Sequence, residues 1–373
     1  MKYRHKLFSH RDLYDTSGTD ELFFLSVIEN LKFHIDNCSE YSQLLQHQGF
    51  HLSSLSSFDD LYKIPPLPTL FLKGHNMFSL PYEKLMFKAT SSGTKGTPSR
   101  VGLDLATSLA ALQMVWRTFM YYRLISPRPT NYIVLGYEPS RHNRMGAAQT
   151  AYATTLAAPA LHREYALKGT GESYALNQDG IISALLRYEK QSHPVRFMGF
   201  PAYFLFLLEG LKEQNIKLRL HPNSKVFLAG GWKQFFQEKT DKQELYTMAE
   251  EILGIKEHNC KDFFGAVEHP IVYCDCKNHR FHVPIYSRII LRDVDTLEPV
   301  GFETPGIMNL ITPLVGSMPL TSVMTDDVAV MHPGESCGCC TPSPWFEILG
   351  RAGLENIKTC AAGAAELLKG VSL

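Results

Sequence analysis

The sequence has no surplus of either charge: 37 Lys and Arg balance 37 Asp and Glu over 373 residues. A chain held to nucleic acid mainly by counterion release needs a basic excess, so the balance argues against that class. Long apolar runs are missing too. The longest lies near residues 197–208 and is interrupted by Gly199 and Pro201. It is well short of the about 20 residues that span a bilayer. No apolar stretch of signal-peptide length follows the basic start MKYRHKLFSH, so the expected compartment is the cytoplasm. Repeats of solenoid length and low-complexity segments are also lacking. In a reducing compartment the eight cysteines are expected to be thiols, metal ligands or catalysts rather than disulfides.

What is present is ordinary globular composition, with 45% hydrophobic and 20% charged residues. A chain of this length buries roughly 75% of its unfolded surface and needs no covalent staples. Helical periodicity runs through residues 20–38, 104–122, 172–190, 202–213 and 241–253. Short β-rich runs stand at 132–135, 195–199, 225–228, 287–291 and 308–312. The alternation predicts an α/β chain with βα units. Several strands end in Gly or Pro and pass into a helix, and ligands usually sit at such carboxyl ends.

The sharpest local signal is Lys88-Ala-Thr-Ser91-Ser92-Gly93-Thr94-Lys95-Gly96-Thr97-Pro98-Ser99. Small and hydroxyl residues let the backbone approach an anion, and successive N–H groups can then point at phosphate oxygens. No Gly-Lys-Ser/Thr ends the segment, so it is not the loop of ordinary P-loop NTPases. It resembles the phosphate loop of the adenylate-forming superfamily. Gly93, Thr94, Gly96 and Pro98 match that motif, whereas Ser99 stands where it has Lys, a charge that Lys95 or Arg100 would have to supply.

Further resemblances follow in the family's order. Leu228-Ala229-Gly230-Gly231-Trp232 resembles the strand and glycine turn beside the adenine. Phe264-Gly265-Ala266-Val267-Glu268 resembles the segment whose aromatic packs on adenine and whose Glu binds Mg²⁺, with Val267 in place of a Thr. Thr325-Asp326-Asp327 resembles the segment whose Asp accepts the ribose hydroxyls, and Gly350-Arg351 resembles the hinge motif. The fold implied is α/β: the large N-terminal domain of the adenylate-forming enzymes over residues 1–349, with a truncated C-terminal segment, 350–373.

In this short tail the chain is similar to the LuxE-like acyl-protein synthetases of bacterial luminescence. The likeness runs from about Ile64 to Leu368 and includes Gly230-Gly231-Trp232-Lys233, His282-Val283-Pro284 and Cys360-Ala361. It implies activation of a fatty acid or similar carboxylate with ATP and Mg²⁺. It further implies transfer of the acyl group to Cys360 as a thioester and delivery to an acyl-reductase partner. On the residues themselves, Cys360 has small neighbours and precedes an Ala-rich run. A helix N-terminus and Lys358 would both favour its thiolate, the nucleophilic form.

Cys274-Asp-Cys276 and Cys337-Gly-Cys339-Cys340 form two tight pairs about sixty residues apart, with His269, His279 and His282 nearby in sequence. Two such pairs can close a tetrahedral thiolate site for structural Zn²⁺. The expected ligands are Cys274, Cys276, Cys337 and Cys339, with the fourth open. Cys38 and Cys260 read as packing residues. Phe200, Pro201 and Tyr203 are candidates to line an apolar carboxylate pocket. Two alternatives remain at this stage: an acyl- or aryl-CoA ligase similar to phenylacetate-CoA ligase, and a non-catalytic, zinc-bound scaffold of a reductase complex.

Overall fold

The computed structural model describes residues 1–75, 77–90, 100–139, 151–170, 173–230 and 241–351. These fall into two compact units. One comprises residues 1–90, 100–118 and 265–351; the other comprises the described part of 119–264.

The first unit begins with helices α1 (Lys2–Phe8), α2 (Asp20–Asn37) and α3 (Ser39–His47). Strand β1 (Leu67–Pro68), helix α4 (Thr69–Gly74), strands β2 (Leu85–Thr90) and β3 (Arg100–Asp104), and helix α5 (Leu105–Tyr121) follow. The second unit holds β4 (Thr130–Tyr137), β5 (Ala160–Gly169), β6 (Tyr174–Leu176), α6 (Gln178–Glu189), β7 (Val195–Gly199), α7 (Pro201–Glu213), β8 (Lys225–Ala229), α8 (Lys242–Leu253) and β9 (Cys260–Phe264). The chain then returns to the first unit with β10 (Tyr273–Cys274), β11 (Phe281–His282), β12 (Arg288–Arg292), β13 (Pro299–Val300), β14 (Gly306–Ile311), β15 (Ser322–His332) and β16 (Trp345–Arg351).

In the second unit β9-β8-β7-β4-β5 run parallel, edged by antiparallel β6. Strand β4 is buried along its whole length, as a parallel strand covered on both faces must be. On one face Ile133, Leu135, Phe197, Val226 and Leu228 pack with Leu185 of α6, Phe204 and Leu208 of α7, and Leu245 and Ala249 of α8. Helix α8 starts where Asp241 accepts a bond from Gln243 N at 2.8 Å, one of the orphan donors of a helix start.

The first unit's main sheet is mostly antiparallel, in the order β11-β16-β15-β14-β12-β13. Helix α2 buries Phe23, Ser26, Val27, Asn30, Leu31 and His34, a stripe at 3.6-residue period. Its polar members are all satisfied. Asn30 Nδ2 and His34 Nε2 both donate to Val315 O, at 2.8 and 3.1 Å, and His34 Nδ1 lies 2.7 Å from Ser79 Oγ. Burial pushes the His34 imidazole down to about 4 from 6.5. Unfolding lets it take up a proton at higher pH, so its contribution is intact above pH 6.5 and is lost as pH falls towards 4. The expected loss is roughly 3 kcal/mol. Urea melts at pH 7 and pH 4.5 of the chain and of His34→Gln measure it: the variant is predicted to show a smaller acid-induced drop.

The five predicted helices and five predicted strands all form, with boundaries shifted by a few residues. The largest shift is at 172–190, where Tyr174–Leu176 is strand and α6 begins only at Gln178. The βα alternation holds for the second unit. The return segment departs from it, because residues 265–351 build antiparallel sheet with no α-helix among the described residues.

Candidate adenylate site and metal centre

In the second unit the strand order reverses beside β4, with β5 on one side and β7, β8 and β9 on the other. Crevices at such switch points, outside the carboxyl ends of the strands, are where open α/β sheets bind ligands. Here β7 ends at Gly199, opposite Leu135 near the end of β4, and Phe200 N donates back to Leu135 O at 3.0 Å. Gly199 has φ +136°, and a Cβ on it would sit 2.3 Å from Leu135 O. Only glycine fits this turn into α7, whose first residue is Pro201, a favoured helix start.

Strands β8 and β9 end beside each other as well, Ala229 paired with Phe263. Gly230 and Phe264, the residues expected beside an adenine, therefore lie at the carboxyl edge. Gly230 has φ +86°, and a Cβ there would lie 2.7 Å from the Phe200 ring. Phe200 and Tyr203, suggested above as pocket lining, are 7% and 3% exposed and belong to the apolar core.

In the first unit Gly265 opens the turn that carries Glu268. A Cβ at Gly265 would lie 3.1 Å from Ile271 O. The turn is closed by His269 N donating to Ala266 O and Ile271 N to His269 O, at 3.2 and 2.7 Å. The fully buried His269 ring then pins it, with Nε2 2.9 Å from Tyr273 Oη and 3.2 Å from Ser287 Oγ. Glu268 is 6% exposed, and no described side chain pairs with it. A carboxylate is a hard oxygen donor of the kind that Mg²⁺ takes.

Asp327 lies on β15, 7% exposed, opposite Arg351 of β16. Arg351 Nε donates to its Oδ1 at 2.8 Å. Arg351, expected to touch nucleotide, thus holds the carboxylate expected to take the ribose hydroxyls, leaving Oδ2 free of that bond. Ser91, Ser92, Gly93, Thr94, Lys95, Gly96 and Thr97 lie outside the described residues, as do Gly231, Trp232 and Cys360. The flanks of the phosphate-loop segment are described: Thr90 of β2 pairs with Arg100 of β3.

The candidate metal-binding cluster differs from expectation in one residue. Cys276, Cys337, Cys339 and His282 place their donor atoms within 4.8 Å of one another; Cys274 is not in the group. Residues i and i+2 of an extended strand are about 6.5 Å apart, too far for a shared ion unless the chain turns. Cys274 ends β10, buried, with its Sγ 3.7 Å from Asp275 O. Cys276 comes after the strand, in a knuckle where its Sγ accepts from Asn278 N at 3.3 Å and its N donates to Arg280 O at 2.9 Å. Buried Asp275 braces this knuckle through His279 Nδ1 at 2.7 Å. Cys337 and Cys339, by contrast, flank Gly338, whose φ of +69° turns the chain. Cys339 Sγ accepts from Thr341 N at 3.4 Å.

His282 fills the fourth place. Its Nδ1 donates to Ser343 O at 2.8 Å, which leaves Nε2 as the lone-pair nitrogen, 3.2 Å from Cys339 Sγ. Fixing one ring nitrogen so that the other can ligate is how protein sites usually hold a histidine ligand. The sulfurs of Cys276 and Cys337 are 3.6 Å apart. A tetrahedron with Zn–S near 2.3 Å has an edge of about 3.8 Å, whereas a disulfide needs about 2.05 Å. Burial pushes the Cys337 thiol up to about 12. Burial also raises Cys339, but hydrogen bonds from Thr341 and the neighbouring thiols outweigh it and the net shift is downward. Cys38 and Cys260 are buried apart from this group, as packing residues.

The fold is that of the large domain of adenylate-forming ligases. Two solved structures of 2-hydroxyisobutyryl-CoA ligase share it. The open form, with 2-HIB-AMP and CoA, has TM-score 0.64 and 17% identity over 91% of this chain and 76% of that one. The postadenylation state, with 2-HIB-AMP, has TM-score 0.66 and 16% identity over 91% and 69%.

Within that class, the description "Acyl-protein synthetase, LuxE" matches residues 7–369, and the chain belongs to this family. Among its relatives is the long-chain-fatty-acid–luciferin-component ligase of Aliivibrio fischeri, 23% identical over 351 residues, which cover 92% of this chain and 88% of that protein. The ligase of the same name from Vibrio harveyi is 23% identical over 347 residues, covering 90% and 85%. No helix among the described residues is long and apolar enough to cross a membrane.

Proposed function

We propose that the protein activates a fatty acid with ATP to an acyl-adenylate and passes the acyl group to its own Cys360 as a thioester, for delivery to a reductase partner. The observation that carries this reading is the family match over residues 7–369, and the burial of the two carboxylates proposed for the site, Glu268 and Asp327, supports it. Family and fold together support acyl activation by ATP.

A carboxylate is a poor acyl donor because its leaving group would be oxide. Attack of the carboxylate on the α-phosphate releases pyrophosphate and leaves AMP as leaving group. The enzyme's part is to hold triphosphate and carboxylate in line. In this reading the backbone of Ser91–Thr97 cradles the phosphates. Gly230 and Phe264 border the adenine, Asp327 accepts the ribose hydroxyls, and Arg351 fixes the Asp327 rotamer. Glu268 holds Mg²⁺, which when bound neutralises charge on the phosphates. The Cys360 thiolate then attacks the acyl carbon, forming the C–S bond and breaking the bond to AMP. The test is fatty-acid-dependent exchange of pyrophosphate into ATP.

The Cys276–His282–Cys337–Cys339 group is assigned to structural Zn²⁺, since four protein ligands leave no open coordination position. It would tie the turn between β10 and β11 to the segment before β16. The purified chain is expected to carry about one zinc per chain by elemental analysis. His282→Ala and Cys339→Ser should lose most of it, whereas Cys274→Ser should keep it. Less than about half an equivalent in the unaltered chain would contradict the assignment.

A further inference from the structure

The turn that carries Glu268 is anchored by the next residue. His269 N donates to Ala266 O at 3.2 Å, and Ile271 N donates to His269 O at 2.7 Å. The first bond closes a β-turn in which Glu268 is the third residue, and the second closes a γ-turn about Pro270. His269 is the joint between them: its N–H serves one bond and its C=O the other. Its ring is fully buried.

The hydrogen bonds of that ring run in one direction. Ser287 Oγ donates to Arg288 O at 3.4 Å, since a carbonyl can only accept. With its one proton used, Ser287 Oγ accepts from Tyr273 Oη at 2.6 Å. Tyr273 Oη, its own proton used, accepts from His269 Nε2 at 2.9 Å. Burial alone shifts the proton affinity of the ring, and lowers it, so the imidazole is neutral and its single proton is on Nε2. Nδ1 is then a bare lone pair, and it has no partner among the described residues. The reverse assignment would bury an orphaned N–H, the rarer state. The chain of bonds ends on rigid elements. Ser287 directly precedes β12, and the Tyr273 ring packs edge-on against Phe346 of β16 with centroids 5.3 Å apart.

From this geometry we propose that His269 is a positioning residue for the reaction: its Nε2–H bond to Tyr273, backed by Ser287, fixes the turn so that the Glu268 carboxylate is in place before Mg²⁺ arrives. The inference rests on the assignment of Glu268 to Mg²⁺ made above. A glutamate on a free turn would have to lose side-chain and backbone freedom when the ion binds, and that cost would weaken binding. Groups that orient a metal ligand typically account for about 10–100-fold of the affinity. His269 acts through Glu268 rather than on the reacting atoms. Its loss therefore changes how tightly the metal is held more than the rate once the metal is saturating.

His269→Ala should raise the half-saturating Mg²⁺ for pyrophosphate exchange about tenfold and leave the rate at saturating Mg²⁺ within about threefold of the unaltered chain. A second reading needs no turnover. Mn²⁺ is titrated into the chain with α,β-methylene-ATP, and the free ion is followed by its paramagnetic resonance; the half-saturating Mn²⁺ should rise by a similar factor. Tyr273→Phe removes only the hydroxyl and should move both readings in the same direction, which keeps the test open if His269→Ala does not fold. His269→Gln, whose amide N–H reaches the place of Nε2, should recover most of the affinity, and the shorter His269→Asn should not. Unchanged metal dependence in His269→Ala or Tyr273→Phe, a loss of saturated rate without a change in half-saturation, or a His269→Gln no better than His269→Ala would each overturn the inference. Glu268→Gln separates it from the reading beneath. If that variant leaves Mn²⁺ affinity unchanged, the metal assignment fails and the inference with it. If it weakens Mn²⁺ binding while His269→Ala does not, the inference alone fails.

Discussion

Cys360→Ser is expected to abolish the acyl-enzyme while sparing adenylate formation. With ATP, Mg²⁺ and a fatty acid, the unaltered chain should gain the mass of one acyl group, and neutral hydroxylamine should remove it. The variant should gain none. A serine hydroxyl is almost wholly protonated near neutrality and is a weak nucleophile, whereas a thiolate is a strong one. Pyrophosphate exchange precedes the thiol step, so it should stay within about twofold of the unaltered chain. Intact-mass spectrometry and the exchange assay, run on the same preparations, separate the two steps. An adduct that persists in Cys360→Ser would move the acceptor elsewhere. Turnover of CoA that ignores the substitution would turn the reading towards a CoA ligase.

Glu268→Gln is expected to act on the earlier step. The side chain keeps its shape and loses the charge. The substitution is nearly isosteric, so the fold should keep its melting temperature. Exchange should nevertheless fall about 10²–10³-fold, the usual effect of removing one preorganised charge-stabilising group from a reacting centre. Raising Mg²⁺ should restore part of it. A variant that exchanges at the original rate would show that Glu268 is not the metal's ligand, and a parallel loss of melting temperature would point to a packing role instead.

The parallel half of the fold is legible in the sequence because its signals are local. Val195–Gly199 is a short β-rich run, with Arg196 its one charged member, between Pro194 and the Gly199-Phe200-Pro201 turn, and it forms β7 with those bounds. The antiparallel half is harder to see. Strands β11 and β13 are two residues long, too short for any period. The middle of β15 carries Thr325, Asp326 and Asp327, which interrupt the apolar pattern of a strand.

The metal centre shows the same division. The two cysteine pairs are visible as spacing, but spacing alone favours Cys274. The competence of His282 depends on a carbonyl of Ser343, 61 positions away, that fixes its tautomer.

The most direct test of the account is exchange of labelled pyrophosphate into ATP by the purified chain, with and without a panel of carboxylic acids. The account predicts exchange that requires Mg²⁺ and rises when a fatty acid is added. A folded, zinc-replete protein that shows no acid-dependent exchange with any member of the panel would contradict it.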